Sequence, residues 1–110
     1  MSLKQQRINE TMRLVKIHSR HINCIRLHKS TNIAHQQKIC EICMWLLAND
    51  MDFITEAEFI GGGRADILVL EEAIAIEVLD SELKKDRVIH LKDYPVPKLE
   101  VSVAQPWKGL

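Results

Sequence analysis

No stretch of this sequence approaches the ~18 consecutive apolar residues that a membrane-crossing helix needs. The opening residues MSLKQQRINE hold no apolar segment of the signal-peptide kind. The expectation is a soluble, cytoplasmic protein with no membrane partner. Cysteine is scarce and odd in number, so Cys24, Cys40 and Cys43 cannot form a complete disulfide framework, which fits a reducing compartment. Glycine and proline are few, with four and three residues, and neither internal repeats nor low-complexity tracts occur. With 46% hydrophobic and 27% charged residues the chain should fold, and its 110 residues give room for a single domain.

Net charge is also missing, but its absence conceals a polarity. Residues 1–34 hold seven Lys/Arg against Glu10 alone, a net +6, while residues 35–110 hold eight Lys/Arg against fourteen Asp/Glu, a net −6. This reads as a basic helical arm, residues 1–34, joined to an acidic core, residues 35–110. An arm of this kind can touch phosphates while the body gathers carboxylates around a cation. Alternatively, the two halves neutralise one another within the fold or across a dimer.

Apolar residues at Ile8, Met12, Val15, Ile22 and Ile25 recur at helical spacing with a gap at Ser19, predicting a helix or two short helices. Ser30, Thr31 and Asn32 supply a break and an N-cap, after which HQQKICEICMWLLAND places Ile39, Ile42, Cys43, Leu46 and Leu47 on one side of a helix. Beyond Asp50 the period changes to two: Phe53, Thr55, Ala57 and Phe59 alternate with Ile54, Glu56, Glu58 and Ile60, as in a strand that Gly61, Gly62 and Gly63 end. ADILVL (65–70) and AIAIEVL (73–79) read as two further strands, DSELKKDR (80–87) as a helix capped by Asp80 or Ser81, and KLEVSV (98–103) as a last strand. The order implies an α/β fold.

A two-residue turn at Glu71-Glu72 would pair Leu70 with Ala73, Val69 with Ile74, Leu68 with Ala75, Ile67 with Ile76 and Asp66 with Glu77. A symmetric four-residue loop would keep that register. Directly opposite carboxylates have Cβ atoms about 4.5–5.5 Å apart and repel unless offset, as Mg²⁺ or Mn²⁺ would do. The plain alternative leaves Asp66 in solvent and pairs Glu77 with Arg64 or Lys84.

A helix bearing Glu41, then RADILVL with Asp66, then AIEVLDSE with Glu77, resembles the PD-(D/E)XK nuclease superfamily, which includes restriction endonucleases and archaeal Holliday-junction resolvases. The resemblance spans about residues 33–104. It implies a restriction-endonuclease-like core, a central mixed β-sheet flanked by helices in a single domain. It further implies Mg²⁺- or Mn²⁺-dependent cleavage of DNA, branched or junction DNA included, with Glu41, Asp66, Glu77 and the Val78 carbonyl as the metal site. The family's Lys two residues after the Glu is here Leu79, so a cation must come from Lys84, Lys85, Arg64 or Lys38, or catalysis is lost and a nuclease-like module for binding nucleic acid or protein remains. Arg13, Lys16, Arg20, Arg26, Lys29, His35 and Lys38 are the candidate nucleic-acid contacts, each equally readable as a solvated face. The small size suggests a homodimer.

One other constellation competes. His18, His21, Cys24 and His28 follow a helical spacing, with Cys40 and Cys43 nearby, and could bind Zn²⁺. Four ligands along one helix do not readily complete a tetrahedron, so zinc is the weaker reading. The glycine run lacks the Lys-Ser/Thr pair of a phosphate loop. Trp45 is expected in the core, and Trp107 either stacks on a base or covers a sheet edge.

Overall fold

Asn32 starts the longest helix: its side-chain oxygen accepts from Ala34 N at 2.8 Å, satisfying a first-turn donor that has no partner within the helix. The computed structural model describes residues 1–26, 29, 32–79 and 94–110. Among these residues two α-helices, α1 (Leu3–Met12) and α2 (Ile33–Ala48), accompany four strands, β1 (Phe53–Glu58), β2 (Arg64–Val69), β3 (Ile74–Leu79) and β4 (Lys98–Ser102). The strands form one sheet in the order β1-β2-β3-β4, antiparallel except for the parallel β3–β4 pair. The chain is therefore a small single-domain α/β protein with a mixed sheet. No helix among the described residues is long and apolar enough to cross a membrane. The helix expected at 80–87 lies outside the described residues.

Alternation along the strands sends side chains to two separate cores. Ile67, Val69, Ile76, Val78 and Val101 meet Ile42, Cys43 and Leu46 of α2 on one face; Ile54, Leu68, Leu70 and Ala75 meet Ile8 and Val15 on the other. Period two fails at one point. Ala57 and Phe59 share a face with Ile54, and Ala65 shares one with Leu68, so both strands change parity between those residues. Glu56 takes a φ of 50°, and the Glu56–Asp66 pair is missing from an otherwise continuous β1–β2 register. That left-handed residue turns the strand over, correcting the simple alternation read from 53 to 60.

The β2–β3 register is the expected one: Ile67 opposite Ile76, Leu68 opposite Ala75, Val69 opposite Ile74. The connection is the four-residue loop 70–73 rather than a two-residue turn. Its left-handed position falls on Ala73 (φ 51°), not on a glutamate. Glu71 folds back, and both of its carboxylate oxygens accept from Asp52 N at 2.8 and 2.9 Å.

The basic arm departs further from expectation. It is α-helical only over Leu3–Met12, followed by a 3₁₀ turn at Ile17–Ser19. Between and beyond these the backbone runs along the outer edge of β1: Lys16 N donates to Glu58 O, Ile60 N to Leu14 O and Asn23 N to Phe53 O. Bridges join Val15 to Phe59 and Ile22 to Ile54. The helical period of the apolar residues was misleading because Val15 and Ile22 belong to an extended edge, where the unpaired donors and acceptors of β1 capture the chain. At the other end Trp107 meets Trp45 edge-to-face at 5.6 Å and Gly109 lies against the Trp45 ring, so both tryptophans serve packing of the tail.

Ala73→Gly relieves a left-handed alanine and is expected to stabilise by about 0.5–1 kcal/mol. Ile67→Ala, at a position with no exposed surface, is expected to destabilise by about 3 kcal/mol. Urea unfolding of the two variants measures both.

Candidate active site

The site forms where the β2–β3 ladder stops. Beyond Ile67–Ile76 no backbone pair continues, and the Asp66 carboxylate takes over, Oδ2 accepting from Val78 N at 2.8 Å. The N–H and C=O of one strand residue lie on the same side, so the Val78 carbonyl also faces this gap. Asp66 and Glu77 come within hydrogen-bonding reach of each other. His35, in the first turn of α2, stands with Nε2 3.9 Å from Asp66 Oδ2.

Glu77 has a second partner that sequence reasoning missed. The Tyr94 hydroxyl makes a very short contact with Glu77 Oε1 and lies 2.8 Å from the backbone carbonyl of Arg64. A phenol has one proton to donate, and here it meets two acceptors. Donated to Glu77 Oε1, that proton favours the ionised carboxylate. Burial drives the Glu77 carboxyl up to about 7; the Tyr94 hydrogen bond opposes this, Asp66 reinforces it through its charge and hydrogen bond, and Lys98 opposes it. Burial, then the bond to Glu77, raises the Tyr94 phenol too.

Lys98 arrives from β4. It pairs in register with Ala75, as Glu100 does with Glu77, so Lys98 and Glu100 stand on the same face as Glu77, one strand away. Its Nζ is 3.5 Å from Glu100 Oε1 and 5.7 Å from the centre of the Tyr94 ring. Neither Tyr94 nor Lys98 could have been placed from sequence. Their register depends on the parallel crossover after residue 79, which no local turn fixes.

The other candidates fall in different places. Glu41 is half-exposed and forms an ion pair with Lys38 at 2.8 Å, and no group of three or more His, Cys, Asp or Glu capable of holding a metal occurs among the described residues. The Lys38 side chain is largely buried and its ammonium also donates to Gln105 O at 2.9 Å, committing it to the tail. Lys84 and Lys85 lie outside the described residues. Arg64 is exposed and lines a shallow polar cleft with Lys16, Glu58 and Gly63. Lys16 reaches Glu58 at 3.8 Å, and Arg20 Nε donates to Val15 O. Arg13, Arg26 and Lys29 are exposed.

The helical spacing proposed for zinc does not hold, because residues 18–24 are not one helix. His18 bonds Glu58 at 2.9 Å, the Cys43 thiol is pushed by burial up to about 12, and His28 lies outside the described residues.

No protein-family model, curated protein sequence or solved structure matches the chain.

Because Glu77 holds its proton more tightly folded than unfolded, the folded state binds more protons between pH 4.5 and about 7, and stability falls as pH rises through that window. Urea midpoints measured across it should fall in the native protein, with a shallower slope in Glu77→Gln. Tyr94→Phe removes the bond that lowers the Glu77 value, so NMR titration should find that carboxyl displaced further upward.

Proposed function

We propose that this chain is a metal-dependent nuclease that hydrolyses phosphodiester bonds of DNA. The observation that carries the reading is the placement of half-buried Asp66 and Glu77 on adjacent strands at the break in the sheet, where Asp66 accepts from Val78 N. Two carboxyl groups that close need a proton or a cation between them. The donor set suits Mg²⁺ or Mn²⁺: two carboxylates, with the Val78 carbonyl facing the same gap. A divalent cation held there would supply Lewis-acid polarisation of the scissile phosphate. The mixed sheet, with helices on both faces and the acidic pair on its two central strands, supports kinship with the PD-(D/E)XK nucleases.

The rest of the machinery follows from this chain's own side chains. Tyr94 fixes one Glu77 oxygen and ties it to the Arg64 backbone, so the carboxyl does not swing into solvent. His35 stands close enough to Asp66 to orient it or to meet a phosphate oxygen. Leu79 brings no charge, and Lys98 stands in the role of the missing ammonium, on the Glu77 face and one strand over. There its positive charge would offset the negative charge that grows on the phosphate.

Leu79 also favours a second reading, in which the pair is vestigial and the chain is a nuclease-like module that binds nucleic acid without cutting it. Incubating purified protein with labelled linear, single-stranded and four-way-junction DNA in Mg²⁺, Mn²⁺ or EDTA separates the two. Cleavage is expected with metal and not with EDTA. Asp66→Asn and Lys98→Met should each lower it about a hundredfold or more. Glu41→Gln, outside the pair, should leave it largely intact. Binding to DNA without cleavage under either metal would establish the second reading.

A further inference from the structure

Single exposed aliphatic side chains are commonplace on protein surfaces and need no explanation. Ile17 and Ile60 are a different case because of their setting. They are 81% and 61% exposed, and neither contributes to the two cores. Ile60 follows β1 at the head of the β1–β2 loop, and Ile17 opens the 3₁₀ turn. The edge pairing of the arm sets Ile60 beside Leu14 and Lys16 beside Glu58, so Ile60 and Ile17 mark the two ends of one bridged stretch.

Among the described residues the surroundings are cationic. Arg13, Lys16 and Arg64 are exposed there, and Lys16, Glu58, Gly63 and Arg64 line a cleft of about 340 Å³. Glu58 engages Lys16 and His18, leaving Arg13 and Arg64 without an ion pair among the described residues. Gly62 and Gly63 have φ values of 104° and 86°, and a Cβ at Gly61 or Gly62 would meet nothing within 4 Å. The loop therefore offers naked backbone to whatever lies against it. Arg64 also ties this surface to the acidic pair, through its carbonyl on Tyr94.

Cations around a protruding aliphatic group suit a polyanion with apolar faces. A nucleic acid has both, but an intact duplex covers its base faces by stacking. Aliphatic wedges enter a base step at an unstacking cost of a few kcal/mol, least where the stack is already broken. We propose that Ile60 and Ile17 contact unstacked bases of a nucleic acid whose phosphates lie over Arg13, Lys16 and Arg64, and that the chain thereby selects opened duplex over intact duplex. The inference rests on nucleic acid being the substrate and adds the structural class of that substrate.

The test is fluorescence anisotropy with the full chain in EDTA, so that nothing is cut. The probes are a labelled, fully paired duplex and the same duplex carrying a central unpaired stretch. The native protein should bind the opened duplex about tenfold more tightly, the surplus left when burial of two aliphatic side chains is set against the remaining cost of unstacking. Ile60→Ser and Ile17→Ser should each remove most of that preference while leaving affinity for the paired duplex within about twofold. Ile60→Lys, which removes the apolar contact yet adds positive charge, should lose the preference too. Lys16→Gln should weaken both probes alike and reduce the salt dependence.

If the isoleucine variants discriminate as the native protein does while Lys16→Gln still weakens binding, the inference is overturned and the nucleic-acid reading stands. If the native protein binds neither probe, both fall together.

Discussion

One hydrogen bond decides where the chemistry of this molecule can be. Were the β2–β3 ladder to continue, Val78 N–H would meet a backbone carbonyl and Asp66 would be an ordinary ladder residue. Instead a carboxylate substitutes for that carbonyl, and the strands part around it. The neighbouring left-handed Glu56 costs about 1–2 kcal/mol. A charge-assisted hydrogen bond to a backbone donor is worth about 1.5–3 kcal/mol, enough to offset it. The result is a gap in the middle of a sheet, lined on adjacent strands by Asp66 and Glu77 and closed on one side by Tyr94.

The opposite charges of the two halves of the sequence have a double outcome. Lys4 meets Asp50 and Glu71, and Lys16 meets Glu58, so part of the arm's charge is spent on the body. Such surface pairs contribute about 0–1 kcal/mol each and cannot hold the arm in place. Ile8 and Val15 do that: buried in the same core as Ile54, Phe59 and Leu68, they supply about 2 kcal/mol each. The arm is attached by its aliphatic residues, and several of its arginines remain turned to solvent.

Much of the sheet was legible in the chain. The β2–β3 register follows by simple counting from the loop, and it holds because the four residues 70–73 are distributed symmetrically between the strands. Asn32 announced α2, and the proximity of Asp66 and Glu77 came directly from the register. What was hidden depended on longer reach. Apolar residues three and four apart in the arm mimic a helix, but an open strand edge outcompetes that local preference. Glu56 gives no local sign of a positive φ, since the break arises from the opposing Asp66. Glu41 shares its helix with Lys38, and that pairing three residues along was open to inspection. Tyr94 and Lys98 reach the site only through a crossover whose register the sequence leaves unspecified.

The path of the arm also sets an order of events on the ribosome. Residues 1–26 emerge first, yet their partners are Ile54, Glu58, Phe59 and the Leu70 carbonyl, the last of these 59 residues downstream of Thr11. Until β1 and loop 70–73 have been made, Ile8 and Val15 have no core to enter. Residues 1–26, made before the strands they join, are therefore seated only after those strands, and they close the edge of β1 as they settle.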